Sequence, residues 1–91
     1  MEFEWDDGNL DHIANHDVDE FEFEEAATDP ERVPFGAHSG NFGFIGKTDA
    51  GRLLVIIFER KSKRLWRAVT ARDAKPPEKK SYRRLNRKKG R

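Results

Sequence analysis

The spacing of apolar positions changes once along this chain, near residue 42, from a helical period to a strand period. Before that point, Phe3-Glu4-Trp5 alternates apolar with acidic and predicts a short edge strand. Asp6-Asp7-Gly8-Asn9 is a turn whose Asp or Asn side chains can cap a helix. Leu10, Ile13 and Ala14 follow at helical spacing and predict a helix over residues 9–16, which Asp17-Val18-Asp19 interrupts. A second helix is expected over 20–28, with Phe23, Ala26 and Ala27 on one face. Asp29-Pro30 ends it, because the residue before a proline disfavours the helical region. Residues 30–40 hold two Pro and two Gly and read as a loop.

From Phe42 the strand pattern takes over. Phe42 and Phe44 alternate with Gly43 and Ile45, and Asp49-Ala50-Gly51 is a turn. Arg52 to Arg60 is the clearest strand, and its unbroken apolar run implies burial on both faces. After a turn at Lys61-Ser62-Lys63, Leu65 to Arg72 is the last strand. Strict alternation puts Arg67, Val69 and Ala71 on one side and Trp66, Ala68, Thr70 and Arg72 on the other. Phe42 and Trp66 are expected in the core. Pro76-Pro77 restarts the chain, Glu78 to about Leu85 predicts a C-terminal helix, and the rest is expected to fray. The order is strand, two helices, three-stranded antiparallel meander, helix. With the helices on one side of the sheet, this is an α+β fold. A single domain is expected over residues 1–85, with a basic tail at 86–91, and no internal repeat is present.

Composition narrows the class. Ninety-one residues suit one domain with a thin core. Cysteine is absent, which excludes disulfides, thiol nucleophiles and cysteine-ligated zinc. The acidic N-terminus lacks a signal-peptide pattern and no apolar run is long enough to span a membrane, so a cytoplasmic protein without a membrane partner is expected. Charge is strongly partitioned although the net charge is only +1. Residues 1–31 carry thirteen acids and no Lys or Arg; residues 32–91 carry all eighteen bases and four acids. That asymmetry points to nucleic acid or an acidic partner. The ordinary alternative, an acidic part folding onto a basic one, does not absorb the crowded Arg87-Lys88-Lys89 cluster.

The motifs, taken in order, resemble the BrnT toxin family. Phe3-Glu4-Trp5-Asp6 resembles its opening, and His16 to Ala26, with Val18 and Phe23-Glu24-Glu25-Ala26, resembles its helical segment. Asp29-Pro30 follows. His38-Ser39 resembles a loop pair, Phe42 to Gly46 the next strand, and Arg52-Leu53-Leu54-Val55 with Glu59-Arg60 the central strand. Arg67-Ala68-Val69-Thr70-Ala71-Arg72 resembles the closing strand and Tyr82 a helix tyrosine, so the likeness spans about 2–83. The resemblance implies a RelE-like fold and a type II toxin–antitoxin system. It further implies endoribonuclease action on RNA without a metal or cofactor, and a BrnA-like antitoxin through which alone DNA is bound. The family usually has an Arg before the Phe of the second strand, where this chain has Asn41.

Such cleavage needs a proton acceptor, a proton donor and a cation for the charged phosphorane. Arg72, at a strand end, is the first candidate for the cation, since an arginine fork grips two phosphate oxygens; a surface ion pair is its alternative. Arg60, which shares side-chain parity with Leu54, Ile56 and Phe58, and Lys47 are further cations. His38, in a Gly-rich loop, is the expected proton carrier. Tyr82 either stacks on a base or packs in the core. His12 and His16 have the spacing of a metal pair but no recognisable third ligand, and read as exposed helix histidines. A non-catalytic module that binds nucleic acid or protein remains the alternative to the toxin.

Overall fold

A computed structural model describes residues 1–89, with Lys88 and Lys89 as helix backbone; Gly90 and Arg91, the end of the expected tail, lie outside the described residues. The elements are β1 (Glu2–Glu4), α1 (Asp7–Ala14), α2 (Glu20–Ala27), β2 (Val33–Pro34), β3 (Phe42–Lys47), β4 (Leu53–Arg60), β5 (Leu65–Asp73) and α3 (Pro76–Lys89). Both short helices start on capping boxes. Asp6 accepts from the Asn9 N–H while the Asn9 side chain accepts from Asp6, and Asp19 and Glu22 repeat the arrangement. Pro76 and Pro77 begin α3 rather than precede it, because a proline in the first turn gives up no helical hydrogen bond. The helix also continues past Leu85, where fraying was expected.

The sheet has five strands in the order β1-β5-β4-β3-β2. The expected meander is its centre, and β1 joins its edge in parallel with β5. β2 lies inside the span expected to be loop, since Val33 and Pro34 pair antiparallel with Ile45 and Phe44. A strand of two residues, one of them a proline, is too short to show in the pattern.

β4 is apolar because both of its faces are covered. Leu54, Ile56 and Phe58 meet Ile13 of α1 and Phe23, Ala26 and Ala27 of α2. Val55 and Leu53 face the other way, onto Val33, Ile45, Ala74 and Tyr82 of α3. Helices therefore flank both faces, not one. Strict alternation also fails in β5. Ile57 pairs with Thr70 but Phe58 pairs with Ala68, leaving Val69 as a bulge. The extra residue returns Ala68 and Ala71 to the same core and separates Thr70 and Arg72 from Trp66.

Candidate functional site

On the α3 face, the sheet is open where α3 does not reach. The loop from Phe35 to Asn41 forms one wall of a groove over Ile57, Val69 and Thr70. This loop has a definite shape. The Asn41 N–H donates to the His38 carbonyl at 3.2 Å, and the two residues between them, Ser39 and Gly40, have φ of 60° and 78°. Two successive left-handed residues turn the chain back on itself, as in the tight turns of hairpins. His38 is thereby held exposed at the groove's rim.

Next to the groove, at Val69 and Thr70, α1 meets the sheet edge. Asn9 is buried, and its side-chain amide donates to the carbonyls of Glu4 and Ala68 at 2.9 and 3.1 Å, fixing α1 against β1 and β5 at the bulge. One turn on, His12 Nε2 lies 3.1 Å from Thr70 Oγ1. His12 also lines an adjoining hollow with Asn41, Glu59, Arg67 and Val69. Arg67 is tied down there, donating to Glu4 at 3.2 Å and Asp6 at 2.7 Å. The arginine's hydrogen bond holds the Asp6 carboxyl below its ordinary range.

Arg72 stands on the groove's face, half-buried, with its guanidinium 5.8 Å from the Phe35 ring centre. It grips Glu78 of α3 through two bonds of 2.8 Å and also donates to the Asp73 carbonyl. Those bonds push Glu78 down to about 2 and raise Arg72 above its already high value.

The other sequence candidates lie elsewhere. Tyr82 is 4% exposed, and its hydroxyl donates to Asp29 at 2.6 Å, so its surroundings fit the packing alternative. Burial and that carboxylate push the phenol far up. Burial alone would raise Asp29, but hydrogen bonds from Tyr82 and from the Glu31 and Lys47 N–H groups outweigh it and hold the carboxyl low. Lys47 thus meets Tyr82 around Asp29, with its Nζ 5.9 Å from the Tyr82 ring centre, and neither side chain lines the groove. Arg60 is on the opposite face of the sheet, stacked 5.5 Å over Trp66, and donates to the carbonyls of Ser62 and Lys63. Phe42, expected in the core, is 48% exposed. His12 and His16 sit 6.1 Å apart by ring centres, and among the described residues no three His, Asp or Glu side chains gather closely enough to hold a metal ion. No helix among the described residues is long and apolar enough to cross a membrane.

No family model and no curated protein matches the chain. Among solved structures, the crystal structure of the ribonuclease toxin BrnT from Brucella abortus superposes with a TM-score of 0.65, covering 82% of this chain and 97% of that one at 20% identity. The fold is that of BrnT. The BrnT likeness covers most of the chain. The sequence resemblance to the BrnT family therefore found the right architecture at an identity where the fold, and the fold alone, is shared. His12 escaped sequence reasoning because its partner, Thr70, is fifty-eight residues away and no local spacing announces the pair.

Proposed function

We propose that this chain is the toxin of a type II toxin–antitoxin pair and cleaves RNA in the groove between His38 and His12. The observation that carries this reading is Thr70, which lines the groove together with His38 and lies within hydrogen-bond reach of His12, in a BrnT-like fold. Histidine is the side chain suited to both taking and giving a proton near neutrality. One imidazole accepts the proton of the 2′-hydroxyl as its oxygen bonds to phosphorus. The other gives a proton to the departing 5′-oxygen as the P–O5′ bond breaks, leaving a 2′,3′-cyclic phosphate and a free 5′-hydroxyl. Arg72 neutralises the phosphorane, with the RNA phosphate competing against Glu78 for its fork. This chemistry uses no metal. A BrnA-like antitoxin, by this reading, silences the toxin by covering the groove.

The test is cleavage of a labelled RNA by purified protein in a chelator, with His12→Ala and His38→Ala alongside. Each variant is expected to lose roughly a hundredfold or more in single-turnover rate at saturating RNA, the range for a lost general acid or base. Each should also lose one limb of the pH–rate profile. Activity that vanishes in chelator and returns with a divalent ion would reject the metal-free route. Wild-type rates in both variants would reject the site.

One observation favours a second reading. Asn41 lines the groove where the resembling family carries an arginine, so the groove has one cation fewer than a phosphoryl-transfer site would use. A module that binds RNA or protein without cutting follows if intact RNA is recovered under every condition.

A further inference from the structure

The face of the sheet that carries α1 and α2 is left bare at the end where β3 begins. Phe42 stands there with its ring 5.5 Å from Trp66 and at right angles to it, and Phe44 and Phe58 complete a hollow with almost no polar surface. Two arginines lie over its rings: Arg60 over Trp66 at 5.5 Å and Arg32 over Phe44 at 4.9 Å. Trp66 also lines the next hollow with Lys63 and Arg64. These two belong to the β4–β5 turn, where Arg60, Lys61, Lys63 and Arg64 are all exposed. A path therefore runs from an open aromatic ring to a basic turn.

We infer that this patch binds single-stranded RNA, with an unpaired base stacked on Phe42 and adjacent phosphates on Lys63 and Arg64. Exposed aromatic rings beside a cationic track are how single strands are held without sequence readout, because every base has a stacking face. Charge selects the occupant: Arg32, Arg60, Lys63 and Arg64 surround the rings against a single acid, Glu2, in the hollow that Lys63 and Arg64 line. The position also fits. Asn41 lines both this hollow and the groove, and Phe42 follows it on the opposite face, so the two meet at the start of β3. The inference rests on the ribonuclease reading and adds a substrate-holding subsite outside the groove. Arg60 lies on this face of the sheet, beside the patch and opposite the groove.

The experiment measures binding of the full chain to a fluorescent single-stranded 2′-O-methyl oligonucleotide, which lacks the attacking hydroxyl and stays intact, and to the matching duplex. Phe42→Ala should weaken single-strand binding by roughly fivefold to a hundredfold, the range for loss of one stacked base, and leave duplex binding unchanged. Phe42→Trp should restore it. The Lys63→Ala/Arg64→Ala pair should reduce the log–log salt slope by about 1.4, or about 0.7 for each lost phosphate contact. Both sites are exposed, and the salt slope reads phosphate contacts independently of any loss of folded protein. Unchanged affinity in Phe42→Ala, or equal loss for the duplex, overturns the inference; a patch that docks a protein instead gives that result. Phe42-dependent binding with no cleavage of ordinary RNA keeps the inference and overturns the ribonuclease reading. Cleavage and binding both indifferent to Phe42 do the reverse.

Discussion

Arg72 and Tyr82 show how one side chain's partner decides its role. The place of Arg72 at a strand end suits it to a phosphate, and the structure gives it Glu78 as a fork-to-fork partner. The folded Glu78 carboxyl titrates at about 2, below its ordinary value of 4.5. A depressed carboxylate contributes stability that is full above its unfolded pKa and disappears as pH falls through its folded one. Urea midpoints followed from about pH 6 to about pH 2 should therefore drop between 4.5 and 2, and Glu78→Gln should flatten that part of the curve while lowering the midpoint at neutral pH. An equally steep acid limb in the variant would show that the pair does not control it. Tyr82→Phe removes a donor from buried Asp29 and should cost about 1.5–3 kcal/mol, the usual worth of a hydrogen bond to a charged group. Denaturation measures that loss. Cleavage by the folded variant at the wild-type single-turnover rate is the companion expectation, and a fallen rate would return Tyr82 to the chemistry.

Among the elements, the most tightly constrained contact is α2 on β3. A Cβ built on Gly46 would lie 2.1 Å from the Ala26 carbonyl oxygen, so helix backbone rests directly on strand backbone. Gly46→Ala must push the helix away and should cost about 3 kcal/mol, at the upper end for overpacking. A melting temperature within a degree or two of wild type would mean the helix yields freely. The same contact explains the glycine that closes the Phe42 to Gly46 segment: a Cβ there meets helix backbone. β4, α2 and the meander are equally legible there, because their burial is written in their own periodicity. The bulge is not legible: its cause is a mismatch between two strands, and neither strand's sequence alone contains it. Val69 therefore reverses the facing expected for Thr70, Ala71 and Arg72 relative to Arg67. The groove is legible only in part. His38 sits in a loop that the pattern isolates, whereas His12 faces Thr70 only because Asn9 docks α1 at that bulge.

For the molecule as a whole, two arginines among the described residues make ion pairs between the basic and acidic parts, Arg52 with Glu22 and Arg67 with Glu4 and Asp6. Arg52 is the main one. From the start of β4 it reaches the His16 and Asp17 carbonyls and Glu22 between and within α1 and α2, and it also holds Asp73 of β5. Those carboxylates hold its charge still more firmly than usual. Arg52→Ala should cost about 1.5–3 kcal/mol in chemical denaturation, and Arg52→Lys should recover only part, since an ammonium cannot span the same fork. Full recovery by lysine would make the contact a matter of charge alone. Most other cations of the basic part are exposed among the described residues. The placement of β1 has a further bearing on how the chain is made. Its ladder partner is β5, and Glu4 meets Arg67 across a separation of sixty-three residues. β1 thus pairs only once β5 has been made, and α1, tied through Asn9 to Glu4 and Ala68, waits with it. Until the ribosome has delivered β5, His12 has no threonine to face, so under the proposed function the groove is completed only late in synthesis.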